Sequence, residues 1–301
     1  MTMYSTYETS LSRRYLGELF DDESGGAVLL GGWAVNLLVD ERFREATGRG
    51  YIGSRDIDVG FHFEEITVRE DLEGSDFSRM FKRLTSMGFR GQSFRLYKDF
   101  DREGRRELQH AEAVSMLPFE VSKLYVDLVV DRIPPSFSEV FGFVPIDEPL
   151  LENAFTNGRT IDIRWEGVDL KVVEPSLLLA MKLSSVETRT RDHKKLKDIA
   201  DIYALAWYSG ESLDDMKEDL GLWLPPNTIG RVVRSFSQDD VSAVSDVIGV
   251  DASTIRVVLS ELWARARAEL NNLESLTKVG LSLFLLVNLC GIPTSHTPEY
   301  H

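Results

Sequence analysis

The sequence predicts a mixed α/β fold followed by a helical C-terminal region, and three observations predict it. A short apolar run stops at a glycine pair and continues as a helix. Several segments alternate apolar and polar residues with the period of two that a strand with one buried face requires. After Glu174-Pro175-Ser176 the periodicity is helical, with no convincing strand. A boundary at 174 therefore divides an α/β domain, 1–174, from a helical domain, 175–301, and 301 residues suffice for two such units with real cores.

Taken in order, the first twenty residues (MTMYSTYETSLSRRYLGELF) read as an amphipathic helix and lack the continuous apolar core of a signal peptide. Ala27 to Leu30 is a short apolar strand, Gly31 and Gly32 turn the chain, and WAVNLLVDERF has helical content. In RDIDVGFHF, Ile57, Val59, Phe61 and Phe63 alternate with Asp56, Asp58, Gly60 and His62, so the two aspartates project from one face of a strand. Phe77, Met80, Phe81, Leu84 and Met87 share a helical face that Gly88 terminates. FRLYKDF and FEVSKLYVDLVVDRI read as further strands. In the second, Val121, Lys123, Tyr125, Asp127 and Val129 share one side. RTIDIRWEGVDLKVVEP reads as a hairpin turning at Glu166 and Gly167. Beyond the boundary, Leu196, Ile199, Ala200 and Tyr203 form a helical core stripe. Val279 to Ile292 is the most apolar stretch, shorter than the roughly 20 residues that cross a bilayer, and reads as a buried helix.

Charge narrows the function classes. The chain carries 34 basic and 49 acidic side chains, a formal −15, which argues against coating nucleic acid with the whole surface. A polyanion would dock on a local basic patch. The only cysteine, Cys290, has no partner for an intramolecular disulfide, and no Cys/His spacing suggests zinc. A reducing, cytoplasmic setting without membrane contact is the expectation.

Two carboxylates at i and i+2 on one strand repel each other unless a cation sits between them. Mg²⁺ suits a few carboxylates together with waters and phosphate oxygens. A glycine pair at a helix N-terminus admits phosphate to backbone N–H groups, and the helix dipole favours the anion. A two-metal site wants a third carboxylate, and Asp127, inside an otherwise apolar strand, is the best candidate, with Asp131 as fallback.

Gly-Gly opening a helix, then Asp-x-Asp on a strand, then a lone Asp on a later strand resembles the nucleotidyltransferase fold of the DNA polymerase beta superfamily. Lincosamide-type antibiotic nucleotidyltransferases share the flavour of Gly31-Gly32-Trp33. The AbiEii-type nucleotidyltransferases, which include toxins of toxin–antitoxin pairs, commonly carry Ser or Thr two residues before the first Asp, as Ser54 does here. In that type a helix lysine is followed by a basic loop and a Lys-Asp pair opening the next helix. Lys182, Arg189, Arg191, Lys194, Lys197, Asp198 and Asp201 occupy those places, and the similarity runs from about Val28 to Leu205. Where many relatives carry a basic residue this chain has Ile52, with Arg49 or Arg55 as substitutes.

The resemblance implies an NTP-dependent enzyme. Asp56, Asp58 and Asp127 would be catalytic and hold Mg²⁺, or Mn²⁺, at a two-metal site. Gly31, Gly32, Ser54, Arg55, Lys182, Arg189 and Lys194 would bind the nucleotide. An RNA acceptor, such as a tRNA end, and an antitoxin partner are what the AbiEii likeness implies. Two alternatives stand beside it: transfer to a small molecule such as an antibiotic, and a nucleotide- or partner-binding module without turnover. Trp33 is expected to pack against the helix rather than stack on a base; His62 and His110 are assigned no role, and His193 is open between a phosphate contact and a loop histidine.

Overall fold

The computed structural model describes residues 3–20, 25–65, 68–190 and 192–264. The expected helix at 279–292 and Cys290 lie outside them. Helix α1 (Thr6–Leu19) leads into β1 (Val28–Leu30), α2 (Gly31–Thr47) and β2 (Asp56–Phe61). Next come α3 (Arg69–Gly74), α4 (Asp76–Ser86), the hairpin β3 (Arg90–Gln92) and β4 (Arg95–Asp101), and α5 (His110–Ser115). Strand β5 (Val121–Val130) is followed by α6 (Phe137–Phe141), β6 (Ile146–Asp147), α7 (Glu152–Thr156), β7 (Thr160–Trp165) and β8 (Val168–Val173). From there the described elements are helical: α8 (Pro175–Val186), α9 (Asp192–Tyr208), α10 (Leu213–Trp223), α11 (Thr228–Ser235), α12 (Gln238–Ile248) and a helix over 252–264.

Local chemistry sets several of these boundaries. Ser5 and Glu8 form a reciprocal capping box that starts α1. Ser75 caps α4, and Gly88, at φ +87°, takes the left-handed conformation that ends it. The β7–β8 hairpin turns at Glu166 and Gly167, both with positive φ, as the sequence predicts. Pro175 occupies the first turn of α8, where its missing N–H costs nothing. The short elements α3, α5, α6, α7, β3 and β6 are not expected from periodicity, because two to six residues are too few to display one.

The strands form one mixed sheet in the order β3-β4-β5-β2-β1-β8-β7, with β6 pairing the far end of β5. Strands β2 and β5 run parallel, as do β1 and β8, while β1 with β2 and β4 with β5 are antiparallel. One continuous core spans the sheet and the helices, from Leu16 and Phe61 through Val35 to Tyr203 and Val244. Phe77 packs against Phe61, Phe137 and Phe141 on one side of it, with ring centroids 4.8 to 5.2 Å apart. The fold class is thus the mixed α/β sheet with a helical C-terminal region that the sequence predicts. Among the described residues no helix is long and apolar enough to cross a membrane.

Candidate active site

The parallel register of β2 and β5 builds the carboxylate face. It sets Asp58 directly opposite Asp127, and Asp56 opposite Tyr125. Because strand side chains alternate, Asp56, Asp58 and Asp127 all rise from one side of the sheet. They line a cleft of about 680 Å³ that Gly31, Gly32, Ser54, Lys182, Arg189 and Lys194 also line. Nine of the ten residues singled out from sequence therefore meet in one place.

The glycine pair is fitted to the aspartates. Gly31 sits at φ +68°, and a Cβ there would fall 1.9 Å from Oδ2 of Asp58. At Gly32 a Cβ would meet the Ser54 side chain at 2.8 Å. The two glycines thus let β2 carry a carboxylate against the start of α2, and that helix start has no side-chain cap. Trp33 is buried and donates from its indole N–H to Ser12 at 3.2 Å, the packing role expected of it.

Of the three carboxylates, Asp58 is the one without an ion-pair partner among the described residues. Burial, then the neighbouring Asp127 and Asp56, push the Asp58 carboxyl up to about 7, against the opposing pull of Lys182 and Lys194. Burial also raises Asp127, opposed by Arg95. One oxygen of Asp56 is buried and accepts no hydrogen bond. Among the described residues no group of three His, Cys, Asp or Glu forms a ready metal cage. The donor chemistry still fits a hard divalent cation: Oδ1 of Asp56 accepts no hydrogen bond and meets only Arg55, at 3.7 Å, and Asp58 forms no ion pair among the described residues.

The cations expected to hold nucleotide divide into two groups. Lys182 donates to Asp198 at 2.6 Å and lies 2.9 Å from Asp201. Lys197 donates to Asp201, Tyr51 adds its hydroxyl at 2.9 Å, and Arg189 donates to Asp198 at 2.7 Å. Burial opposes the charge of Lys182, but Asp198 and Asp201 outweigh it and hold the ammonium well above its ordinary value. Lys182 and Arg189 therefore line the cleft with their charges already met. Lys194 is different: it stands 3.9 Å from Asp56, with 29% of its side chain exposed. Arg191 lies outside the described residues.

Two expectations need correcting. Asp131 is no alternative to Asp127: it lies past the end of β5, where it accepts the Phe63 amide at 3.0 Å and meets Nδ1 of His62. Arg55 does not line the main cleft. It lies 3.7 Å from Asp56, stacks over Tyr4 and borders a second cleft of about 670 Å³. Arg49 is exposed, and Ile52 packs against the core, so neither brings a charge to the main cleft.

Arg95 is the site residue that sequence reasoning missed. It opens β4 opposite Asp127 and lines both clefts, as does Phe94. The available signal was FRLYKDF read in register against YVDLVV, which places an arginine beside the buried aspartate. Strand pairing had to be known first.

No family model matches the chain, and no curated protein matches it. A solved structure, that of an antigenic nucleotidyltransferase-like protein from Paracoccidioides brasiliensis, aligns over 80% of this chain and 92% of its own. The TM-score is 0.38 and the identity 15%, so the likeness carries no argument about what this chain does.

Proposed function

We propose that the chain is a divalent-cation-dependent nucleotidyltransferase that moves a nucleoside monophosphate from an NTP to an acceptor hydroxyl. The observation that carries this reading is the meeting of three carboxylates, in register on β2 and β5, with the uncapped glycine-pair start of α2. Carboxylates that want a cation and free helix amides that want an anion, side by side, suit a metal-bound triphosphate.

Asp56 and Asp58, with Asp127 beside them, would hold Mg²⁺ or Mn²⁺, which supplies neutralising charge to the phosphates. The amides at Gly31 and Gly32 would bind phosphate oxygens, with Ser54 behind them and Lys194 at the rim. Leu178, Met181, Val129 and Ile146 offer an apolar wall on which a base can lie. In the reaction the acceptor oxygen bonds to the α-phosphorus, the bond to the leaving pyrophosphate breaks, and the acceptor's proton passes to a carboxylate of this face.

An RNA end is the favoured acceptor. The second cleft, joined to the first at Phe94 and Arg95, is lined by Arg55, Arg102 and Lys123, the last paired with Asp99 at 2.9 Å, together with aromatic rings, in a chain of net charge −15. That the protein acts as an AbiEii-like toxin restrained by an antitoxin rests on the motif resemblance alone.

The test is transfer of α-labelled NTPs, each in turn with Mg²⁺, to total cellular RNA. Label is expected on RNA with the wild type and not with Asp58→Ala. Transfer that survives Asp58→Ala would falsify the site assignment, and label appearing only on a small hydroxylated acceptor would replace RNA with that class.

A further inference from the structure

The carboxylate face has already accepted one cation from its own chain. Arg95 faces Asp127 across the antiparallel β4–β5 pairing, while Asp58 faces Asp127 from the other side. The Arg95 guanidinium donates from Nε to Oδ1 of Asp127 at 2.8 Å and from a terminal nitrogen to Oδ2. The same terminal nitrogen reaches Asp56 at 3.4 Å. This is the two-pronged arginine–carboxylate pairing, in which both acceptor oxygens are used.

Arg95 is also held from below. Its guanidinium lies 4.1 Å from the centroid of the Tyr125 ring and 5.7 Å from that of Phe94, and 14% of the side chain is exposed. Strand register, ring stacking and two hydrogen bonds thus fix the group. It is not a surface arm that drifted onto an acid. Asp58, by contrast, meets no ion-pair partner among the described residues, and the buried Oδ1 of Asp56 accepts no hydrogen bond, its neighbours Arg55 and Lys194 standing 3.7 and 3.9 Å from the carboxylate.

We propose that Arg95 is the built-in second cation of this site: Asp127 is committed to it, and the chain binds one divalent ion, on Asp56 and Asp58. Three unpaired carboxylates in this register would hold two such ions. A fixed guanidinium occupies both oxygens of Asp127 and keeps a positive charge beside the cleft without a coordination shell. The inference rests on reading the carboxylate face as a divalent-cation site, and it is independent of which acceptor is used.

The test counts Mn²⁺ bound to the full chain, from the loss of the free-ion electron paramagnetic resonance signal on titration. The wild type should bind one equivalent, and Asp58→Asn should lose it. Arg95→Met should bind two, and Arg95→Lys, which keeps a charge, should stay at one. Arg95→Gln, able to keep a hydrogen bond to Asp127, should also bind two and serves if the methionine variant does not fold. Two equivalents in the wild type, or no gain in a folded Arg95→Met or Arg95→Gln, would overturn the proposal. No Mn²⁺ bound by the wild type would overturn it together with the metal reading. One equivalent in the wild type and two in the Arg95 variants, without label transfer to any acceptor, would leave the proposal standing and remove only the transferase activity.

Discussion

Two charge clusters line the same cleft and have opposite electrostatic characters. On the helical side, Lys182, Lys197 and Arg189 meet Asp198 and Asp201, with the Tyr51 hydroxyl as a further donor. On the sheet side, Arg95 pairs with Asp127 and reaches Asp56, which also has Arg55 at 3.7 Å and Lys194 at 3.9 Å, while Asp58 has no ion pair among the described residues and is pushed up to about 7 by burial and by its neighbours. Every charged member of the first cluster has an ion-pair partner within it, whereas Asp58 in the second has none among the described residues. A buried charge with all its partners in place fastens elements together. A buried charge without one is costly unless a ligand completes it. Function is therefore to be sought on the sheet side, although the basic residues that caught the eye in the sequence lie on the other.

The sharpest way to break this contrast is to unbalance the satisfied cluster. Asp201 is fully buried on α9 and takes the charge of Lys197 from the same helix, that of Lys182 from α8 and the Tyr51 hydroxyl from the loop after α2. Asp201→Asn keeps the shape and leaves two buried ammonium groups short of a carboxylate. A loss of about 3–5 kcal/mol in unfolding free energy is expected, measured by urea denaturation. A loss below about 1 kcal/mol would mean that the cluster does not tie α2, α8 and α9 together.

Much of this was legible in the sequence, for identifiable reasons. The alternation of Ile57, Val59 and Phe61 with Asp56 and Asp58 can only be one half-buried strand, so the face of the aspartates followed from period alone. Gly31 and Gly32 were legible because a non-glycine residue would collide with Asp58 and Ser54. Lys182 was named from the sequence as a nucleotide-binding residue, but the partners that meet its charge, Asp198 and Asp201, lie sixteen and nineteen residues away on another helix, and no spacing rule pairs them. Arg95 was illegible for the same reason, since its meaning depends on β4 lying antiparallel to β5 in one register. Local period could be read from the sequence; partnership across elements could not.

The unsatisfied cluster makes its own prediction, smaller in size and specific in pH. With Asp58 at about 7 in the folded protein and near 3.9 when unfolded, the folded state binds the extra proton between those values. Stability from this group is therefore complete below about pH 4 and is lost as pH rises through 7. In chelator-treated, metal-free buffer, the wild type should lose on the order of 2 kcal/mol relative to Asp58→Asn between pH 5 and pH 8. Melting of the two proteins across that range measures it. Using the difference matters because Glu174, also raised to about 7 by burial, contributes equally to both. Parallel melting profiles would show that Asp58 already has its counter-charge, and the contrast between the clusters would fall.

Lys194 stands between the two clusters and decides where the boundary runs. It belongs to α9 with Lys197, yet it turns toward Asp56 at 3.9 Å rather than toward Asp198 or Asp201, and it keeps contact with solvent. A partly exposed ammonium at that distance contributes little to folding, but it can hold a phosphate oxygen brought into the cleft. Lys194→Ala should leave the melting temperature within about 2 °C of the wild type, since surface changes lie within about 0.5 kcal/mol. It should weaken nucleoside triphosphate binding about fivefold, close to 1 kcal/mol, and the difference should shrink as salt is raised. Titration with a fluorescent triphosphate at two ionic strengths reads both effects. A drop in stability approaching that of Asp201→Asn would move Lys194 into the structural cluster. Unchanged affinity at low salt would leave the glycine-pair amides as the phosphate contacts on the α2 side of the cleft and remove α9 from nucleotide binding.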